Sequence, residues 1–111
     1  MNFTNSSTLL DAVVLAAVAS EREGTYGYKI TQDVRSALDV SESTLYPVLR
    51  RLQTNGLLET YDQEFNGRNR RYYKLTEAGG EELKRIRMEW WDYARKINAI
   101  LLNEEAQNDA E

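Results

Sequence analysis

The chain has 111 residues, of which 41% are hydrophobic and 29% charged, and its formal net charge is −4. That describes one soluble globular domain with apolar content for a modest core. With no Cys and no His, a disulfide framework and a thiolate metal site are excluded, zinc would find only carboxylates, and the commonest general acid-base residue is missing.

The first predicted helix runs from about Ser7 to Ser20, with Ser7 or Thr8 as its N-cap. Leu9, Leu10, Val13, Val14 and Ala17 form its main stripe, while Ala12, Leu15 and Ala16 make it apolar nearly all round. A helix of that kind is buried on more than one side, and in so short a chain the extra contact is assigned to a partner subunit. The apolar run Leu9–Ala19 is broken by Asp11 and lacks a basic flank. It is too short to span a bilayer and poor as a signal peptide, so it is read as a core helix of a cytoplasmic protein with no membrane partner.

Glu21–Gly24 is a polar loop, and Tyr26-Gly27-Tyr28 leads into a second helix over about Gly27–Leu38, with Ile30, Val34, Ala37 and Leu38 facing the core. Asp39 ends it and Ser41 caps a third helix, the tight connection that a helix-turn-helix requires. In the third helix Leu45, Val48, Leu49 and Leu52 recur at helical spacing, and Ser43, Thr44, Tyr46 and Arg50 share the opposite face. Pro47 leaves two starts open. With Ser43 as cap it lies in the first turn at modest cost; with a start at Glu42 it removes a hydrogen bond and frees the Ser43 carbonyl.

Asn55-Gly56 stops this helix. Two β-prone runs follow, Leu57–Tyr61 and Arg70–Leu75, around the hairpin signal Asn66-Gly67. Arg68, Arg70 and Arg71 sit just past the turn, and Tyr73 and Leu75 alternate inward. Thr76 then caps a long last helix from Glu77 to about Leu102, whose Gly79-Gly80 pair weakens its start by roughly 1 kcal/mol per glycine relative to alanine. Leu83, Ile86, Trp90, Tyr93, Ile97 and Ile100 are separated by 3, 4, 3, 4 and 3, a heptad seam. Met88, Trp91, Ala94 and Leu101 widen it beyond what one small wing domain covers. The predicted solution is a homodimer with those six seam residues at its interface, the helix packing on its twofold mate and on the first helix. The alternative is a helix folded back over its own domain.

The expected fold is therefore mainly α with a small β-hairpin: a winged helix-turn-helix of three helices plus wing over residues 1–76, a dimerisation helix over 77–102, and a disordered acidic tail over 103–111. Charge follows the same division. Residues 1–40 carry three basic and five acidic groups, 41–76 six and four, and 77–111 five and nine. The only positive third holds the third helix and the hairpin.

A helix with a hydroxyl, tyrosine and arginine face beside an arginine-tipped hairpin suits double-stranded DNA, the helix in a major groove and the hairpin on phosphates or an adjacent minor groove. Ser43, Thr44, Tyr46 and Arg50 are the candidate base and phosphate contacts of the helix. Arg68, Arg70 and Arg71 are those of the hairpin, and Lys29 is a further phosphate candidate. The plain alternatives are a solvated helix face with Tyr46 half packed, and an arginine cluster serving solubility. Arg51 points toward the hairpin and is expected to pair with an acid such as Glu59. A rival from another class is a winged-helix protein-interaction module without a DNA target, in keeping with a pI of about 4.9. A third is a small-molecule sensor first and regulator second. An enzyme reading has no support, and no cofactor is implied.

Four ordered blocks carry a resemblance. They are Tyr26-Gly27-Tyr28-Lys29-Ile30, Ser43-Thr44-Leu45-Tyr46-Pro47-Val48-Leu49-Arg50-Arg51-Leu52, Asn55-Gly56-Leu57-Leu58-Glu59, and Arg70-Arg71-Tyr72-Tyr73-Lys74-Leu75-Thr76-Glu77-Ala78-Gly79. Together they resemble the PadR family of bacterial winged-helix transcriptional regulators over about residues 9–102, and the single C-terminal helix resembles the smaller of its two groups. The resemblance implies a homodimeric repressor on a palindromic operator, with recognition helix and wing on DNA and the C-terminal helix building the dimer. Some members of that smaller group bind flat aromatic or cationic compounds stacked against tryptophan at the dimer interface, so the resemblance makes Trp91, Trp90 and Val14 candidate ligand-binding residues. Trp90 lies on the seam and has a structural reading beside it. Arg95, one turn beyond Trp91, favours a neutral or anionic aromatic compound over a cationic one.

Overall fold

The computed structural model describes residues 2–103. The predicted acidic tail from 104 onward lies outside them. Helix α1 (Ser6–Ala19) begins earlier than predicted, because Asn5 and not Ser7 or Thr8 is its N-cap: the Asn5 side chain accepts the Ser7 N–H at 2.9 Å. Ala12, Val14, Leu15 and Val18 are buried, and Leu9, Leu10, Val13, Ala16 and Ala17 lie half-buried against the same core. The near-complete apolar girdle is thus only partly used within the chain.

Strand β1 (Thr25–Tyr26) is two residues long, too short to leave an alternation in the sequence. Helix α2 (Gly27–Arg35) stops three residues before its predicted end. The Ser36, Ala37 and Leu38 N–H groups turn back onto the Gln32 and Val34 carbonyls, so Ala37 is exposed rather than in the core, while Leu38 still packs against it. Helix α3 (Glu42–Thr54) settles the question of its start. Ser41 is the N-cap, its hydroxyl accepting the Thr44 N–H at 3.3 Å, and Pro47 lies inside the helix. The Ser43 carbonyl is left without its helical donor. Leu45, Val48, Leu49 and Leu52 are buried as the spacing predicted.

Strands β2 (Leu58–Phe65) and β3 (Arg68–Leu75) pair antiparallel from Leu58↔Leu75 to Phe65↔Arg68. The turn between them has Asn66 and Gly67 both at positive φ, 53° and 77°, which matches the right-handed twist of a two-residue hairpin. The ribbon runs closer to the turn than predicted. Asp62, Gln63 and Glu64 are all exposed, and such a solvated ribbon shows no inside-outside pattern to read. β1 adds to the far side of β3, giving the order β1-β3-β2. Tyr73 is buried and Leu75 half-buried on the inward face.

Helix α4 (Glu77–Leu101) is capped by Thr76, whose Oγ1 accepts the Gly79 N–H at 3.0 Å and donates to the Gly56 carbonyl at 2.7 Å. Its start is thereby tied to the end of α3. Of its residues only Gly79, Leu83 and Ile86 are buried. Phe3, which the sequence did not single out, is buried against it, with ring centroids 5.1 Å from Trp90 and 5.2 Å from Tyr93. Among the described residues no helix is long and apolar enough to cross a membrane.

Candidate nucleic-acid interface

The α3 face opposite the core holds Ser43, Thr44, Tyr46 and Arg50, all exposed. The Ser41 cap organises its first turn, its hydroxyl lying 3.0 Å from Ser43 Oγ and 2.9 Å from Thr44 Oγ1. Tyr46, 38% exposed, leans on the start of α2. A Cβ at Gly27 would come within 3.0 Å of its ring, so the missing side chain there is what seats the tyrosine. Partial burial, with Glu42 and Tyr73 nearby, pushes its phenol above the usual range. It therefore stays a neutral hydroxyl, able to donate to a phosphate or base acceptor.

Between that turn and the wing lies a groove of about 500 Å³. Its walls include Tyr46 from α3, Tyr26, Gly27 and Tyr28 from the entry into α2, and Arg68, Asn69, Arg70 and Arg71 from β3. The fold thus gathers Tyr46 and all three predicted wing arginines around one cleft. Ser43, Thr44, Arg50 and Lys29 are not among its lining residues. Tyr26, Tyr28 and Asn69 are additions that sequence reasoning missed. Tyr26-Gly27-Tyr28 stood out only as the lead into a helix, and its place beside β3 comes from a strand too short to detect.

The cations sort into two groups. Lys29 Nζ is 3.0 Å from Glu21 and 3.3 Å from Asp33, and hydrogen bonds to those two carboxylates raise its pKa. Arg51 pairs with Asp11 of α1 and reaches Ser7, 3.5 Å away. It does not turn to Glu59, as expected, because Asp11 interrupts the apolar stripe of α1 on the side facing α3. Arg71 has Asp62 across the ribbon at 3.8 Å. Among the described residues Arg50, Arg68 and Arg70 have no carboxylate within salt-bridge reach. Arg70 instead lies over two rings, its guanidinium carbon 4.7 Å from the centre of Tyr26 and 5.1 Å from that of Phe65.

A second hollow, also about 500 Å³, is almost wholly apolar and lies between α1 and α4. Its lining includes Phe3, Leu9, Ala12, Val13, Leu83, Ile86, Trp90 and Trp91. Val14, predicted to line such a site, does not: it is fully buried on the core side of α1, and its neighbour Val13 forms the wall. The positive charge at this hollow also differs from expectation. Arg95 is held by Asp92 at 2.8 Å, whereas Arg87 is part of the lining. Of the six seam residues, Leu83 and Ile86 are already buried within the chain and Tyr93 is half-buried. Trp90, Ile97 and Ile100 are 44%, 39% and 81% exposed, and Trp91 beside them is 76% exposed.

Residues 14–85 match the family described as Transcriptional regulator PadR-like. Among characterised sequences, a transcriptional regulator of Mycobacterium tuberculosis is 38% identical over 73 residues, which is 65% of this chain and 68% of that protein. Among solved structures, a Streptococcus mutans protein superposes with a TM-score of 0.80 at 39% identity, covering 86% of this chain and 88% of that one. A PadR-like transcriptional regulator from Bacillus cereus gives 0.77 at 28% identity, covering 85% and 92%. A PadR family transcription regulator from Clostridium difficile gives 0.75 at 27% identity, covering 83% and 97%.

Proposed function

Since the chain belongs to the PadR-like family of transcriptional regulators, DNA-binding proteins rather than enzymes, we propose that it acts as a homodimeric repressor on a near-palindromic operator. Each protomer inserts the Ser43, Thr44, Tyr46 and Arg50 face of α3 into a major groove, while Arg68, Arg70 and Arg71 meet the flanking backbone. The observation that carries this reading is the groove shared by Tyr46 and the wing arginines, together with the uncompensated charge of Arg50, Arg68 and Arg70. Arg50 has the donor fork to read a guanine, and Tyr46 and the two serine/threonine hydroxyls supply further hydrogen bonds.

The second half of α4 is the proposed dimer contact. Trp90, Trp91, Ile97, Ile100, Leu101 and Leu102 all expose large apolar surface, which a monomeric protein rarely leaves open in one stretch. Leu83 and Ile86 lie at the base of that contact. Two protomers joined so would set their α3 helices one DNA turn, or a multiple, apart. The apolar hollow bounded by Trp90 and Trp91 is the proposed effector site for a planar aromatic compound. Binding there would relieve repression by favouring a dimer with the wrong half-site spacing.

The test is a gel shift on the duplex upstream of the chain's own coding sequence, with size-exclusion light scattering alongside. A specific, salt-sensitive shift by a dimer, lost in Arg50→Ala, is the expected result. A monomer at micromolar concentration, or no specific shift at low salt, refutes the proposal.

A further inference from the structure

Arg70 stands at the centre of a small aromatic frame. β3 is the middle strand of the sheet, with β1 on one side and β2 on the other. Tyr26 on β1 pairs with Tyr72, and Phe65 on β2 pairs with Arg68. Arg70 is two residues from each of those partners and so shares their face of the sheet. It lies diagonal to both rings, one from each neighbouring strand. The frame itself is braced, since Tyr72 stacks on Tyr61 at 5.4 Å and meets Tyr26 edge-on at 5.7 Å.

A guanidinium held over rings is attracted through its charge and keeps its in-plane N–H donors available for a second partner. No carboxylate within reach competes for those donors among the described residues. Arg70 is half-buried while Arg68 and Arg71 are exposed, so it is the wing arginine whose position is fixed before any ligand arrives. Fixing a long side chain in advance removes the ordering cost at binding. A rigid in-plane fork on the wall of the groove suits the two oxygens of one phosphate.

We propose that Tyr26 and Phe65 are positioning residues for DNA binding, holding Arg70 as a pre-set contact to a single backbone phosphate. This rests on the operator-binding reading above and deepens it. Phe65, 46% exposed at the wing tip, then has a reason to be there that core packing does not supply. Exposed cation–π contacts of this type are worth about two- to fivefold in an equilibrium constant.

The experiment measures affinity by fluorescence anisotropy across salt, on the upstream duplex and on a random duplex of equal length. The chains compared are wild type, Arg70→Ala, Phe65→Leu and Tyr26→Leu, the two double variants with Arg70→Ala, and the ring-keeping Phe65→Tyr and Tyr26→Phe. Circular dichroism melts confirm that each folds. Phe65→Leu and Tyr26→Leu are expected to weaken both duplexes about two- to fivefold in the wild-type background, with no effect once Arg70 is alanine, and the ring-keeping variants to match wild type. Arg70→Ala is expected to flatten the salt dependence by about one phosphate per protomer. Ring substitutions that cost nothing in wild type, or cost equally in both backgrounds, overturn the positioning role while leaving operator binding intact. Absence of any wild-type shift at low salt overturns both.

Discussion

The pairing of cations sets a number that can be measured. Outside the α3 face, whose Arg50 is assigned to a base, four cationic side chains are phosphate candidates in each protomer: Lys29, Arg68, Arg70 and Arg71. Lys29 is held between Glu21 and Asp33, at 3.0 and 3.3 Å, so a phosphate at its ammonium would also meet two carboxylates. Arg71 carries Asp62 at 3.8 Å, and the same objection applies at half strength. Arg68 and Arg70 have no such partner. A dimer that engages only those two per protomer neutralises four phosphates, and at about 0.9 counterions each the slope of log affinity against log salt is near −3.6. From about 50 to 200 mM salt, affinity would then fall roughly 150-fold. If all four side chains engaged, the slope would approach −7 and the loss would be on the order of 10⁴-fold. The assay is anisotropy on one operator duplex at five or six salt concentrations, repeated with Lys29→Ala. A slope between about −3.6, with Arg68 and Arg70 alone, and about −5.4, with Arg71 added, unaltered by Lys29→Ala, is the expected result. A slope near −7 that drops by about two in the Lys29→Ala dimer would refute the idea that carboxylate neighbours remove a cation from the interface.

Three further outcomes follow from the packing. At Gly79 a Cβ would run into the Leu57 carbonyl, whereas at Gly80 it would meet only Leu75, 3.9 Å away. Gly80→Ala should therefore stabilise the fold by up to about 1 kcal/mol, and Gly79→Ala should destabilise it by about 1 to 2 kcal/mol despite the same gain in helix propensity; urea melts decide it, and equal stabilisation would sink the argument. Trp91→Glu with Ile100→Glu places charge on the exposed apolar face of α4 and should convert the proposed dimer to monomer in light scattering, with operator affinity falling at least tenfold through lost bivalency. Arg51→Ala removes a surface pair with Asp11 and should cost less than about 1 kcal/mol in a thermal melt, leaving operator affinity and salt slope unchanged because Arg51 faces α1 rather than the groove.

Most of the fold was legible because its helices carry their periodicity openly. Leu45, Val48, Leu49 and Leu52 are buried as spaced, Thr76 and Ser41 cap where their side chains suggest, and Asn66-Gly67 makes the hairpin turn. What escaped is what local sequence does not encode. β1 is defined by its partner strand and not by its own two residues. Phe3 is isolated in a polar segment, and only the fold brings it to Trp90 and Tyr93. The Asn5 cap lost out to Ser7 and Thr8 because all three are good capping residues. At the site, the spacing gathered Tyr46 with Arg68, Arg70 and Arg71 but carried no sign of which cations would be neutralised. That depends on Glu21, Asp33, Asp11 and Asp62, residues 8, 4, 40 and 9 positions from their partners. Val14 shows the same limit within one helix, since adjacent valines lie about 100° apart around its axis and only the packed structure shows which one borders the hollow.

The charge sorting also answers how a chain of net charge −4 can favour a polyanion. Acidic groups repel DNA only where they stand within about a Debye length of it, roughly 10 Å at moderate salt, and only where they are uncompensated. On α4 the acids are largely tied to local bases: Glu82 and Glu89 to Arg85, and Asp92 to Arg95 and Lys96. Those pairs add little stability, being solvated, but they leave the long helix close to neutral along its length. Around the groove the balance is different: Arg68 and Arg70 have no carboxylate within ion-pair reach among the described residues, Arg71 has Asp62 across the ribbon, and Glu64 stands opposite Asn69. Net charge averages over these two regions and so misjudges both. On the proposed docking face the charges a duplex would meet first are those of Arg50, Arg68 and Arg70, which have no carboxylate within ion-pair reach among the described residues although the molecule as a whole is acidic.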